Sequence, residues 1–242
     1  MTHLHVPDGV LPVWLWMSGA AATAVIIAVA SRFASGPDFR RRLPVLSMTA
    51  AFMIVAMSIP VIPAAYHVQL AAVAGIILGP ALGVIAAFIV NLLLALVGHG
   101  GITTVGLNTI IVGSEVVAGW ALFRGLRRAL APGIAAGAAA FVAMVVGAAI
   151  MIGVVALSSP QVRAAHLGEM LAVGESGHHG EHPGPAGGEG YEKLSTGRFA
   201  ALVVILGAVG WILEAVVTGL IVRFAARVKP DLVGLAAAHE PV

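Results

Sequence analysis

Residues 81–97 read ALGVIAAFIVNLLLALV, a run without a charged side chain in which Asn91 is the one strongly polar residue. A helix of this length extends about 25 Å, which approaches the ~30 Å thickness of the hydrocarbon core of a bilayer. The rest of the chain has the same character, since 60% of its 242 residues are hydrophobic and 10% are charged. Soluble domains contain about 25% charged residues. We therefore predict an integral membrane protein.

Six further apolar runs accompany this one, at residues 13–30, 43–59, 68–78, 105–122, 134–157 and 199–221. The run at 68–78 is too short to cross a bilayer, and Gly79 and Pro80 separate it from the run at 81–97. The predicted fold class is an all-α integral membrane bundle of about seven segments, six full-length and one short. The predicted organisation is an N-terminal metal-binding segment (1–12), membrane segments one to six (13–157), a His- and Gly-rich loop (158–197), a last membrane helix (198–223) and a tail (224–242).

Basic residues are distributed unevenly between the two ends of these segments. If the segments alternate in direction, one side carries Arg32, Arg40, Arg41, Arg42, Arg124, Arg127, Arg128, Arg223, Arg227 and Lys229, and the other carries Arg163, Lys193 and Arg198. Basic residues concentrate on the cytoplasmic side of membrane proteins. The N-terminus and the loop at 158–197 are therefore predicted to lie outside the cell, and the C-terminus inside.

Histidines follow the opposite distribution, because eight of the nine fall on the predicted outer side and only His239 falls inside. Neutral imidazole is a common ligand of borderline divalent metals, so the outer face is predicted to bind such an ion. His3 and His5 lie close to the terminal amine, and an amine, a backbone amide and an imidazole can close chelate rings around Ni²⁺ or Cu²⁺. The alternative for such a segment is a frayed chain end.

Polar residues within the apolar runs are expected to face the interior of the bundle: Asn91, Asn108, Glu115 and Glu214. The two glutamates would pair with an arginine, bridge helices or contact the substrate directly. The spacings Gly79-x-x-x-Gly83 and Gly133-x-x-x-Gly137 predict close approach of helix backbones. That approach would occur within the bundle or against a partner membrane protein.

Four motifs together resemble the CbiM/NikM family, the substrate-binding membrane component of cobalt/nickel energy-coupling factor (ECF) transporters. Residues 4–9 (LHVPDG) match the family's opening Met-His-Ile-Pro-Asp-Gly, and His67 matches a histidine that follows a proline-ended second segment. Residues 78–80 match a Leu-Gly-Pro turn, and residues 99–108 (HGGITTVGLN) match a His-Gly-Gly-Leu-Thr-Thr-Leu-Gly-Ala-Asn stretch. The resemblance covers residues 4 to about 125.

The resemblance implies a metal site and its ligands. The N-terminal amine and the amide and imidazole nitrogens of His5 would hold the ion with His67 opposite, a near-planar set of four nitrogens that suits Ni²⁺. Asp8, His99 and Asn108 would surround these ligands and fix their orientation. His178, His179 and His182 in the polar loop would gather metal weakly. Co²⁺ or Ni²⁺ is thus the expected cargo, and no cofactor is expected.

The residue that supplies the binding amine stays open, because three residues precede the family's opening. Removal of Met1 would expose Thr2 and make His3 the chelating histidine. Alternatively, Leu4 is the true start and the chain opens Met-His-Val-Pro-Asp-Gly, which fits the tight Pro-Asp-Gly turn without an insertion. His3 and Leu4 are both retained as candidates.

The family implies partners that supply energy: ATP-binding subunits, a transmembrane coupling subunit and a small accessory membrane subunit, in a bacterial or archaeal cytoplasmic membrane. This chain contains no phosphate-binding loop of the G-x-x-x-x-G-K-[ST] type, and its net charge of +2 does not suggest nucleic-acid binding.

Two alternative functions are an intramembrane metal-dependent enzyme and a metal sensor. The first would need a pattern such as H-E-x-x-H, but no apolar run contains a histidine, so no catalytic residue is predicted. The second would need a large output region inside the cell, and the predicted inner loops are short. Cobalt and nickel stay equally open.

Overall fold

The computed structural model describes residues 11–34, 37–58, 67–98, 100–158 and 196–234. Within these ranges the chain forms α1 (Val13–Phe33), α2 (Pro37–Ser58), α3 (Ala71–Leu96), α4 (Val105–Leu126), α5 (Pro132–Leu157), α6 (Thr196–Val228) and a short 3-10 helix (Pro230–Val233). All of the α-helices except α2 are long and apolar enough to cross a membrane. The predicted all-α membrane fold is confirmed.

Helix α2 begins six residues before the apolar run that predicted it. Its first turns carry Arg40, Arg41 and Arg42, all exposed. Arginine is a good helix former whose long side chain keeps its charge in water while its backbone continues a helix. The boundary of an apolar run therefore marks the apolar part of α2 and not its first residue.

Helix α3 contains the predicted third and fourth segments, joined at a break. Gly79 adopts φ 78° and ψ 176°, a conformation that essentially only glycine tolerates. Pro80 follows as the first residue of the next helical stretch, a position where its missing N–H costs nothing. Gly79 thus divides α3 into a first limb (71–78) and a second limb (80–96).

The two limbs of α3 fold back on each other. A Cβ atom built on Gly83 would lie 3.3 Å from the carbonyl oxygen of Ala74, although residues nine apart in a straight helix are separated by about 13.5 Å. The first limb is about 12 Å long and cannot cross a bilayer, whereas the second is about 25 Å long. The short third segment is therefore a helix too short to cross a bilayer by itself, and the chain reverses direction at its end. Val68 to Leu70, predicted as part of this segment, are not helical.

Two core clusters show which helix ends lie together. Ile76, Phe123, Ala136 and Val222 pack in one cluster, which joins the end of the first limb to the ends of α4 and α6 and the start of α5. Leu11, Leu15 and Leu107 form another cluster at the start of α1 and of α4. The basic residues that end α4 and α6 therefore share one end of the bundle, and the chain enters α1 at the opposite end. Which end faces the cytoplasm stays a prediction.

Glycines allow the closest helix contacts. In α3 a Cβ on Gly75 would overlap the carbonyl oxygen of Val116 in α4. In α5 a Cβ on Gly137 would lie 2.9 Å from the carbonyl oxygen of Ala215 in α6, and one on Gly133 would lie 3.0 Å from that of Gly219. The small-residue spacing at Gly133 and Gly137 therefore serves packing within the bundle.

The chain after α6 folds back against α4. Arg127 Nη1 donates to the carbonyl oxygens of Val233 at 3.3 Å and Gly234 at 2.7 Å. Val233 is buried with Phe123 in the same core cluster. The last residues of α4 and the turn that follows α6 are thus held together by one arginine.

Candidate metal site

Two of the predicted site residues lie within the part of the chain that the structure describes, His67 and Asn108. The others fall outside the described residues: His3, Leu4, His5, Asp8, His99, His178, His179 and His182. Glu115 and Glu214, whose roles the sequence left open, are both described. The structure therefore shows only the backbone and side chains that border the predicted site.

The N-terminal segment meets the described structure at the start of α4. Leu11 is buried in a cluster with Leu15 and with Leu107 of α4. Just inside this contact, α1 and α4 approach backbone to backbone, because a Cβ on Gly106 would lie 2.6 Å from the amide nitrogen of Ala20. The Thr23 hydroxyl donates to the Gly106 carbonyl oxygen at 2.7 Å. Leu11, the first described residue, therefore lies beside the first turn of α4.

The first turn of α4 is buried and polar. Thr104, the residue before the helix, donates through its hydroxyl to the Gly101 carbonyl oxygen at 3.0 Å, and Asn108 Nδ2 donates to the Thr104 hydroxyl at 3.5 Å. Thr104 is 1% exposed and Asn108 4%. The preceding turn uses Gly98 and Gly100 at positive φ, which a larger residue would resist. Polar side chains buried in a membrane bundle are costly to place there, so this turn is a candidate for a functional region.

His67 lies at the start of a buried segment that precedes α3. The residue itself is half-buried, and Val68, Gln69 and Leu70 after it are buried and not helical. Glu214 of α6 reaches this segment: one carboxylate oxygen accepts from the Gln69 N–H at 2.9 Å and the other from the Leu70 N–H at 2.6 Å. Glu214 therefore links α6 to the non-helical segment that precedes α3.

Glu115 lies on α4, 5% exposed, two helical turns after Asn108. Its carboxyl group lies against Gly147 of α5, where a Cβ would overlap it. Its Oε2 atom has no hydrogen-bond partner within the described ranges. The bundle therefore buries two carboxyl groups, those of Glu115 and Glu214, and the second is bonded to the backbone of the segment that follows His67.

The described residues do not complete a metal site by themselves. Across the ranges given above, no three His, Asp or Glu side chains come together as a group that could hold an ion. An apolar groove of about 1070 Å³ lies between α5 and α6, and none of the predicted ligands lines it. The metal site, if formed as predicted, depends on residues before Leu11.

Sequence reasoning missed Gln69 and Leu70 as contact points for Glu214. Both contacts use backbone N–H groups, which every residue except proline carries, and more than 140 residues separate the partners in the chain. One signal was present, since a glutamate inside an apolar run requires a polar partner in the bundle. That signal indicates that a partner exists and does not identify it.

The family model that matches the chain is CbiM, described as the cobalt uptake substrate-specific transmembrane region, and it covers residues 5–232. A putative cobalt transport protein CbiM of Halobacterium salinarum is 32% identical over 130 residues, and a putative metal transport protein, HQ_3621A, of Haloquadratum walsbyi is 37% identical over 130 residues. Each alignment includes 51% of this chain, and the chain spans 59% of the length of either relative.

Two solved structures have the same fold. The crystal structure of a truncated transition metal transporter superposes with a TM-score of 0.70 at 18% identity, covering 93% of this chain and 99% of that chain. The crystal structure of a transition metal transporter gives a TM-score of 0.70 at 20% identity and covers 93% of both chains. At these identities the likeness establishes the fold.

Proposed function

Because the chain belongs to the CbiM family of cobalt-uptake, substrate-specific transmembrane proteins, we propose that it captures Co²⁺ or Ni²⁺ for an ATP-driven importer. Membership of a metal-uptake family favours a transport component over an intramembrane enzyme. The relatives are called a cobalt and a metal transport protein, which supports a divalent transition metal as the cargo.

One observation supports the proposal: described residues next to both segments with predicted ligands pack in cores that include α4. Leu11 packs with Leu107 of α4, and Val68 and Leu70, which follow His67, belong to a core cluster that also contains Val112 of α4. Residues next to two segments far apart in the chain are thus buried in clusters that share α4.

The proposed ligands are the N-terminal amine, the amide and imidazole nitrogens of His5, and the imidazole of His67. Four nitrogens in a near-planar arrangement suit Ni²⁺ and also bind Co²⁺. Asn108 and Thr104 would lie beside this set as polar neighbours, together with Asp8 and His99. Such neighbours orient ligands, and their loss commonly lowers metal affinity 10- to 100-fold.

The energy for transport is proposed to come from other chains. ATP-binding subunits would hydrolyse ATP, a transmembrane coupling subunit would transmit the change to this bundle, and a small accessory membrane subunit would complete the complex. The absence of a phosphate-binding loop in this sequence is consistent with that division of labour. The complex would lie in the cytoplasmic membrane of a bacterium or archaeon.

The function is tested by measuring accumulation of radioactive cobalt and nickel at trace concentration in cells that express the chain with its partner subunits. His67→Ala is expected to abolish uptake, because loss of one of four nitrogen ligands removes both affinity and geometry. His239→Ala is the matched control and is expected to leave uptake unchanged. Full uptake by the His67→Ala protein would remove this residue from the site, and a preference in the wild-type protein would identify the metal.

The orientation is proposed to place the N-terminus and the loop at 158–197 outside the cell. The chain has no cysteine, so one introduced cysteine is its only thiol. Cysteine at position 176 is expected to react with a membrane-impermeant thiol reagent on intact cells, and cysteine at position 36 is not. The reverse labelling would contradict both the orientation and the clustering of histidines on the outer side.

The mature chain is proposed to begin at Leu4, read as an initiating methionine, so that its amine adjoins His5. Mass spectrometry of the N-terminal peptide distinguishes this start from a chain that begins at Thr2 and uses His3. Active protein that begins with unprocessed Met1 would contradict both.

The polar loop is proposed to gather metal only weakly. Deletion of residues 177–188, with His178, His179 and His182, is therefore expected to reduce uptake only modestly at low metal concentration.

A further inference from the structure

The segment that follows His67 is non-helical backbone inside a membrane bundle. Val68, Gln69 and Leu70 are each less than a tenth exposed and lie between His67 and the first residue of α3. Backbone N–H groups in an apolar environment require hydrogen-bond partners, and non-helical backbone at membrane depth is tolerated where the protein supplies them. Something other than the regular bonds of a helix must therefore hold this segment.

Glu214 supplies these bonds from a different helix. Its two carboxylate oxygens accept from two consecutive amides, the N–H of Gln69 at 2.9 Å and the N–H of Leu70 at 2.6 Å. The side chain is fully buried. Hydrogen bonds to an ionised acceptor are roughly twice as strong as those between neutral groups. Since both oxygens are used on adjacent peptide groups, the carboxylate fixes the orientation of the segment as well as its position.

Leu70 shows why a strong anchor is needed here. It adopts φ 60° and ψ 20°, the left-handed conformation that side chains with a Cβ disfavour. Its carbonyl oxygen accepts the first bond of α3, from the Ala74 N–H at 3.0 Å. Leu70 is therefore the corner at which the chain arriving from His67 turns into the first limb of α3. Such a conformation persists only where the surroundings determine it.

We infer that Glu214 is a positioning residue for His67. It acts on the metal site through the backbone, because anchoring Gln69 and Leu70 to α6 fixes the chain two residues after the proposed ligand. A ligand held in place before the ion arrives loses less conformational freedom on binding, which raises affinity. This inference rests on the proposed function, in which His67 binds Co²⁺ or Ni²⁺.

A carboxylate is required at this position for a reason of hydrogen-bond chemistry. Glutamine has nearly the same shape but offers one acceptor oxygen and an amide NH₂, which donates and cannot accept. In Glu214→Gln one of the two backbone N–H groups would face another donor. The segment would keep one bond to α6 and would be free to turn about it.

The experiment compares metal binding by the purified full-length protein and its variants, with isothermal titration of Co²⁺ and of Ni²⁺ and absorption spectra of the bound ions. Glu214→Gln is expected to weaken binding 10- to 100-fold and to change the ligand-field bands, which report the geometry around the ion. Asp231→Asn is the matched control, the same carboxylate-to-amide change at an exposed residue of the 3-10 helix that follows α6. It is expected to bind within threefold of the wild type and to give the same spectrum.

The outcomes separate this inference from the proposed function. If the wild type binds neither ion, or if His67→Ala binds as the wild type does, the proposed function fails. If His67→Ala abolishes binding while Glu214→Gln keeps both the affinity and the spectrum of the wild type, the positioning role is overturned and the function stands.

A second variant and a second measurement cover the case in which Glu214→Gln does not fold. Glu214→Asp keeps both oxygens but withdraws them by one methylene, and it is expected to fold with an affinity between those of the wild type and Glu214→Gln. In the wild type, hydrogen exchange of the Gln69 and Leu70 amides should be slow. Exchange of these two amides as fast as that of an open loop would also overturn the inference.

Discussion

The contact of α3 with α4 and the contact of α5 with α6 are both made by glycines, but the two pairs differ in how their backbone hydrogen bonds are satisfied. Helices α5 and α6 are continuous, so each satisfies its own backbone hydrogen bonds, and Gly133 and Gly137 only let them approach. Helix α3 is broken at Gly79 and begins after a non-helical segment whose backbone N–H groups bond to Glu214 of another helix. The regular pair is a scaffold, whereas the segment that leads into the broken helix carries a candidate ligand, His67.

Substitution in the broken region is expected to have the largest effect. In Gly75→Ala the added methyl would overlap the carbonyl oxygen of Val116, a backbone atom inside the core that cannot move without shifting α4. We expect a loss of about 3 kcal/mol in the free energy of unfolding. Unfolding in detergent micelles, followed by circular dichroism, measures it. A loss below about 1 kcal/mol would mean that the two helices separate easily.

Gly147→Ala tests the boundary between the two regions, where α5 meets α4. The methyl would overlap the carboxyl group of Glu115, which is the end of a flexible side chain and can turn aside. A smaller loss of about 2 kcal/mol is expected, because the displaced carboxyl group stays buried. The double variant Gly147→Ala, Glu115→Ala should recover part of this loss in the same unfolding assay. No recovery would show that the methyl meets a rigid neighbour instead.

Gly137→Ala tests the regular pair. Its methyl would lie 2.9 Å from the carbonyl oxygen of Ala215, so α5 and α6 need to separate by only a few tenths of an ångström. The expected loss is about 1 kcal/mol, because so small a separation keeps the rest of the interface in contact. A loss as large as that in Gly75→Ala would erase the proposed distinction between the two regions.

Gly153→Ala is the control within the same helix. Nothing lies within 4 Å of a Cβ at this position, and alanine is the better helix former. We expect a gain of about 0.5 kcal/mol in the free energy of unfolding. Destabilisation here would indicate that glycine substitutions in α5 act through something other than contact with a neighbouring helix.

The elements that the sequence predicted well are those set by local pattern. Apolar runs located each α-helix in the part of the chain that the structure describes, and Gly79 and Pro80 located the break in α3, because these residues determine the backbone where they stand. Helix ends were predicted less well, as at α2, because arginine is compatible both with a helix and with water. The non-helical state of Val68 to Leu70 was missed, since apolar residues carry no local signal against a helix.

The candidate site, like the fold, was predicted from the sequence only where local motifs determine it. His67 and Asn108 were predicted from their motifs; His67 lies at the start of the buried segment before α3, and Asn108 lies in the buried first turn of α4. The role of Glu214 required the structure, because its partners are backbone amides more than 140 residues away. Side-chain identity reveals that a buried charge needs partners, but only the fold determines which amides meet it.

Arg127 gives the bundle a mechanical property. By holding Val233 and Gly234 it fastens the tail of α6 to the end of α4, and about 21 Å of continuous helix runs from Glu214 to Val228. Helix α6 is thus a rod attached at its basic end to α4 and near its middle to the segment after His67. If the proposed coupling subunit tilted this end, the rod would move as a whole, and the displacement would reach the proposed ligand through the two bonds of Glu214 to the segment after His67.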